Sequence, residues 1–367
     1  MKLNEKEKAV IALLRKNPFL TQQEMADMVD MSRPALANLI SGLMRRGVIE
    51  GRAYILAKVN EVVCIGGANV DRKFHLKEVT QLGTSNPTSM SVSVGGVARN
   101  IAENLGRLDH SVRLLTVAGD DQDWQLIEQE SEGYVDVSLV GFSPDAATGS
   151  YSAVLDPDGE LVIALANMDV YDSLSISYIE ENDPLIANAS LVVMDLNCPK
   201  ETVEFVKERA QFHGTGLVII PVSSPKMARM PENLEGITWF VCNRDEAETY
   251  TGQSIQNEED WKRAVSLLLE SGAENVIVTA GAKGVMAGSK NSEIVHFPAY
   301  KNVNVKDVTG AGDAFVSGVL HGYLAGMELE ESIQRGVLNA TKTLESSYTV
   351  RPELSKDQLE IEMEELK

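Results

Sequence analysis

The chain has 367 residues, 44% hydrophobic and 24% charged, which is a globular balance with more length than one ordinary domain needs. A formal net charge of −21 excludes a general nucleic-acid binder over the whole surface, and no apolar run reaches membrane-spanning length. The opening "MKLNEKEKAV" is too charged for a secretory signal. Cys64, Cys198 and Cys242 are scattered without metal-ligand spacing, which points to a reducing cytoplasm and away from zinc.

The charge is uneven. Residues 1–58 hold ten Lys or Arg and six Asp or Glu, a net of +4 that leaves −25 for the remainder. Such asymmetry predicts two modules with different partners, residues 1–58 and residues 59–367. In the first, the spacing predicts helices over 4–17, 20–30 and 31–47. Thr21 stands at capping-box distance from Glu24, and Ser32 caps a helix with Pro34 in its first turn. Residues 48–57 read as a two-stranded wing around Gly51.

Helix, short turn, helix and hairpin together resemble a winged helix-turn-helix DNA reader. That resemblance implies operator DNA as a partner, with Arg33 and Asn38 facing the groove and Arg45, Arg46 and Arg52 reaching phosphates. A homodimer reading two half-sites would follow. The alternative is a small helical bundle serving dimerisation or regulation.

From Val62 the pattern changes to apolar strands alternating with amphipathic helices. Segments 62–69, 112–119, 191–195, 216–222, 238–243 and 275–281 read as buried parallel strands. Helices are predicted over 97–108, 199–212, 244–251, 259–271, 310–325 and 330–344. The alternation predicts a doubly wound, mainly parallel α/β sheet. Segments 74–94 and 148–166 instead alternate apolar and polar residues, and "DPDG" at 156–159 is a hairpin turn. They predict a small sheet projecting over a site.

The chemistry concentrates at strand ends. In "DVTGAGDAF" (307–315), Gly310, Ala311 and Gly312 precede an apolar helix, so backbone amides can converge on an anion at its N-terminus. Asp313 could there accept the proton of an alcohol attacking a phosphoryl group. A packing turn with Asp as a first-turn acid is the plainer alternative. In "GGVARN" (95–100), Gly95 and Gly96 let backbone approach a ligand, and Asn100 offers a donor and an acceptor to a polyol. "IGGANVD" (65–71) brings Asn69 and Asp71 to the carboxyl edge of the sheet. "CNRDEAE" (242–248) places Asn243 and Glu246 for outer-sphere contact with Mg²⁺ and phosphate, or as ordinary helix caps.

These four pieces, in this order, resemble the PfkB (ribokinase-like) sugar kinases over about Glu61 to Arg351. The resemblance implies transfer of the ATP γ-phosphate to a primary hydroxyl with Mg²⁺, Asp313 as base and Gly310 to Gly312 as anion hole. It implies nucleotide contacts at Asn243, Thr279, Gly281, Gly284 and Asn339, Mg²⁺ near Glu246, and a monovalent cation such as K⁺ at Asp307 and Thr309. The projecting sheet corresponds to the family lid. The ending "LESSYTVRPEL" lacks the family's usual glycines near nucleotide and cation.

"TSNPTSM" and "ANMDVYD" resemble segments of bacterial pseudouridine kinases. This implies Ser85, Asn86 and Asn167 to Asp169 near the substrate, with Asp71, Gly96 and Asn100 on the ribose. Ribose, another nucleoside or a ketose stays open as acceptor, as does a transcription factor that uses the kinase fold as a ligand sensor.

Overall fold

The structure, a computed structural model, describes residues 3–17, 20–49, 60–290 and 292–365. The first three helices are α1 (Glu5–Lys16), α2 (Gln22–Met28) and α3 (Arg33–Arg45). Their starts are written locally. Asn4 and Glu7 close a capping box on α1, Thr21 and Glu24 another on α2, and the Ser32 hydroxyl accepts from the Ala35 amide. Val10, Leu14, Met25, Leu36, Ile40 and Leu43 meet in a core of their own. Gly51 and Arg52 of the expected wing lie outside the described residues.

The strands that follow are β1 (Glu61–Ile65), β2 (Asn69–Leu76), β3 (Thr88–Gly95), β4 (Ser111–Leu115), β5 (Val117–Gly119), β6 (Gly141–Ser143), β7 (Ser150–Leu155) and β8 (Leu161–Asn167). The set continues with β9 (Leu191–Asp195), β10 (Gly216–Ile220), β11 (Trp239–Asn243), β12 (Asn275–Thr279), β13 (Val285–Ser289) and β14 (Val295–Phe297). Between them run α4 (Val97–Arg107), α5 (Gln122–Ser131), α6 (Ile176–Glu181), α7 (Asp183–Asn188), α8 (Lys200–His213), α9 (Arg244–Thr251) and α10 (Glu258–Glu270). The chain closes with α11 (Ala311–Leu324), α12 (Leu329–Leu344) and α13 (Lys356–Glu364).

The main sheet has the order β14-β13-β12-β11-β10-β9-β1-β4. Strands β12 to β4 are parallel, whereas β13 and β14 are an antiparallel edge that the alternation did not predict. Period-two side chains divide the core into two layers. Val63, Ile65, Val192, Met194 and Phe240 face α8, α9 and α10, while Val62, Cys64, Leu191, Val193 and Val241 face α4, α11 and α12. Helix α11 is buried on all sides from Ala314 to Gly322, which matches its nearly all-round apolar sequence.

Two predicted strands, 62–69 and 112–119, are each broken in two, the second into β4 and β5. Segment 62–69 becomes β1 and the start of β2, because Gly66 at φ 148° turns the chain out of the main sheet. The second sheet has the order β3-β2-β7-β8, with β2 and β7 parallel and the other pairs antiparallel. It contains both expected lid segments, and Gly159 at φ 86° closes the β7–β8 hairpin.

Candidate active site

Helix α11 begins at Gly310, whose φ is 80°; a Cβ there would lie 2.1 Å from the Thr349 carbonyl oxygen, so only glycine fits. No side chain caps this helix. A Cβ on Gly312 would meet nothing within 4 Å, so open space lies over the first-turn amides, a cradle suited to an anion. The Asp313 carboxylate Oδ2 accepts from Asn100 Nδ2 at 2.8 Å, which joins the first turns of α11 and α4. Burial pushes the Asp313 carboxyl up to about 7, Asp195 and Asp71 add to the rise, and the Asn100 bond opposes it.

The Gly95–Gly96 turn holds the other side. A Cβ on Gly96, at φ 99°, would lie 2.4 Å from the Gly67 carbonyl, and one on Gly95 would lie 2.4 Å from an Asp71 carboxylate oxygen. Asn69 donates to Asp71 at 2.6 Å. Burial raises the Asp71 carboxyl to about 6, against the pull of Lys73. Asn69, Asp71, Gly95, Gly96, Asn100 and Asp313 are thus gathered at one carboxyl edge, between the main sheet and the lid.

Two residues that organise this edge went unnoticed in the sequence. Asp195 ends β9 and is 1% exposed; its Oδ2 accepts from the Gly67 and Ala98 amides at 2.9 and 3.0 Å. It ties the β1–β2 turn to the start of α4. The Tyr171 hydroxyl donates to the Ala68 carbonyl at 2.5 Å and accepts from the Ala68 amide at 3.0 Å. The local signals were the strand "LVVMD", which ends on an acid at the ligand-binding edge, and the place of Tyr171 within "ANMDVYD".

Farther along the sheet edge, β11 and β12 pair Asn243 with Thr279. Asn243 caps α9: its Oδ1 accepts from the Glu246 amide at 2.9 Å, and Glu246 accepts from the Asn243 amide at 2.8 Å. The plainer capping alternative therefore describes how both residues are held. Burial pushes the Glu246 carboxyl up. Gly281 and Gly284 take φ 54° and 92° in the turn after β12, and Gly284 passes against the Phe297 carbonyl. Asn339 departs from a direct nucleotide contact. It is fully buried, donates to Asn104 and the Ala314 carbonyl, and accepts from Arg351, itself paired with Glu362. It stands behind α11 as a brace.

Asp307 and Thr309 face a cation of the chain itself. Lys73 Nζ donates to Asp307 Oδ2 at 2.5 Å and to Thr309 Oγ1 at 3.1 Å. Burial would raise the Asp307 carboxyl, but the Lys73 and Thr309 bonds hold it below its usual range. Among the described residues no group of three or more His, Cys, Asp or Glu forms a metal cage.

The residues expected at the base are less gathered. Ser85 is exposed, and Asn86 closes its own loop by bonding Gln81 and the Thr84 carbonyl. Asn167 and Asp169 are exposed at the end of β8, beside half-buried Met168. In the N-terminal helices Arg33, Asn38 and Arg45 are exposed. Arg46 is also exposed and pairs with Glu7 at 2.8 Å.

Residues 59–356 match the model of the pfkB family of carbohydrate kinases. The chain belongs to that family. Residues 3–50 match a winged helix-turn-helix DNA-binding model. Over 97% of this chain and 98% of the relative, it is 30% identical to the uncharacterized sugar kinase YeiI of Escherichia coli K12. The pseudouridine kinase of the same organism is 31% identical over 80% of this chain and 93% of its own. A carbohydrate kinase structure from Agrobacterium tumefaciens superposes with a TM-score of 0.72 at 30% identity, covering 83% of this chain and 97% of that one. Arabidopsis thaliana ribokinase, in complex with ribose and ATP, shares the fold at a TM-score of 0.72 and 18% identity, over 84% and 99% of the two chains. The protein is therefore a PfkB-family kinase of a sugar or nucleoside with a ribokinase-like α/β fold. Among the described residues no helix is long and apolar enough to cross a membrane.

Proposed function

We propose that this kinase transfers the γ-phosphate of ATP to the 5′-hydroxyl of a nucleoside, pseudouridine first among acceptors, and that residues 1–58 bind operator DNA. The observation that carries the reaction is the 2.8 Å Asn100–Asp313 bond beneath the open first turn of α11. It sets a carboxylate of raised pKa beside unfilled helix amides, as a general base beside a phosphoryl group requires. Asp313 takes the alcohol proton while the Gly312 and Asp313 amides steady charge on the phosphoryl oxygens. Asp71, held by Asn69, accepts from two ribose hydroxyls. Mg²⁺ entering with the nucleotide would neutralise phosphate charge, with Asn243 and Glu246 holding it through water at the β11 edge. Thr279, Gly281 and Gly284 line the nucleotide side.

Pseudouridine is supported by the 31% identity to a pseudouridine kinase and by the exposed polar set Ser85, Asn167 and Asp169 around the lid. A C-nucleoside needs hydrogen-bond partners for its base as well as its ribose. The test is incubation of the full chain with ATP, Mg²⁺ and a panel of nucleosides and free sugars, with products read by mass. Pseudouridine 5′-phosphate is the expected product. Product from ribose or a ketose alone removes the acceptor and keeps the kinase; no product from any member removes the reaction. For residues 1–58, binding to genomic DNA fragments is expected to weaken steeply with salt, and affinity that ignores salt removes the DNA reading.

A further inference from the structure

Family resemblance implies a monovalent cation at Asp307 and Thr309, yet the oxygens there are already satisfied. Asp307 Oδ2 accepts from Lys73 Nζ at 2.5 Å; Asp307 Oδ1 accepts from the Thr309 amide at 2.9 Å and from Thr309 Oγ1 at 2.6 Å. Thr309 Oγ1 also lies 3.1 Å from Lys73 Nζ. A free cation on this donor set would sit within a few ångströms of an ammonium, where like charges repel. The set does not fit a second positive ion.

We propose that Lys73 is the built-in cation of the signature loop, so that the kinase needs no potassium or sodium. A lysine ammonium is a compact point charge with three donors, close to a potassium ion in the role it can fill. Its side chain is about one-quarter exposed, as is that of Asp307, so the pair is shielded from bulk water.

The placement carries a consequence for substrate. Lys73 and Asp71 lie two residues apart on β2, so the pleat directs both to the same face. Partners across β3 repeat the spacing, Asp71 opposite Ser93 and Lys73 opposite Ser91. One strand therefore delivers the hydroxyl-binding carboxylate and the cation that steadies the loop before Gly310. Lys73 acts as a positioning residue: it orders residues 307–309, and through them the first turn of α11.

This inference rests on the kinase reading of Asp313, and its test separates the two. Melting of the full chain and its turnover are compared in potassium, sodium, caesium and tetramethylammonium chloride at equal ionic strength. For the native chain, turnover is expected to agree within about 2-fold across the four salts, with coincident melting curves. Lys73→Met is expected to lose about 10-fold or more in tetramethylammonium and to regain activity and thermal stability in potassium, which can enter the vacated place. A merely structural lysine would not give ion-specific rescue. Lys73→Gln repeats the comparison should Lys73→Met fail to fold. Potassium-specific activation or stabilisation of the native chain overturns the proposal, as does a folded variant equally active in all four salts. If no acceptor is phosphorylated, the melting curves still decide the cation question while the kinase reading falls.

Discussion

Two helices start at glycine turns on the same edge of the main sheet, α4 after Gly95–Gly96 and α11 after Gly310, and they differ in what meets their first-turn amides. At α4 the Ala98 amide donates to Asp195 at 3.0 Å and the Arg99 amide to the Gly67 carbonyl at 3.2 Å. Gly96 is required because another stretch of backbone lies against it. At α11 no side chain caps the turn, and the space over Gly312 is open. On the proposed reading, a glycine turn before a helix becomes an anion site only where tertiary neighbours leave its amides unclaimed. The Asn100–Asp313 bond then makes the closed turn serve the open one.

Four substitutions would break or sharpen that contrast. The largest expected effect is at Asp313→Asn, which keeps the shape and removes the proton acceptor. Turnover should fall by about 10³-fold with ATP affinity little changed, as measured by steady-state kinetics and nucleotide titration. Near-normal turnover would show that the carboxylate is only a first-turn acid.

Next comes the pair of glycines. Gly312→Ala should fold normally, since its Cβ meets nothing within 4 Å, yet lose about 100-fold in kcat by filling the phosphoryl space. Gly96→Ala should do the reverse to first order. A Cβ 2.4 Å from the Gly67 carbonyl, at φ 99°, should cost about 3 kcal/mol of stability, read as a lowered denaturation midpoint. Equal destabilisation by both changes would erase the distinction between the turns.

The smallest effect is a pH shift. Asp313 accepts a proton only when ionised, so with its carboxyl at about 7, kcat/KM should rise with pH through that region and level off above it. The Asn100 bond favours the ionised form. Asn100→Ala should therefore move the acidic limb to higher pH; a limb that stays or moves lower would place the titrating group elsewhere.

The local code of this protein was largely legible. The Thr21–Glu24 capping box and the Ser32 cap are short-range hydrogen-bond patterns, and both are observed, although the helices they start are two residues shorter at each end than the spans 20–30 and 31–47. The buried strands β9 to β12 stood out because parallel strands covered on both faces read as continuous apolar runs. The edge strands β13 and β14 did not, being short and interrupted by Gly288 and polar residues. Both signature motifs, and Asp71, Asn100 and Asp313 as the residues to watch, also came from the chain alone.

Tertiary structure decided which polar groups are free. Asp195 reaches Gly67 across 128 residues, Tyr171 reaches Ala68 across 103, and Lys73 reaches Asp307 across 234. It also gave other candidates partners within the chain: Asn339 is fully buried behind α11, Asn86 closes its own loop, and Arg46 is paired with Glu7. Residue type and spacing state what a side chain can donate or accept. Whether that capacity is open to a ligand depends on distant chain segments that the folded core brings alongside it.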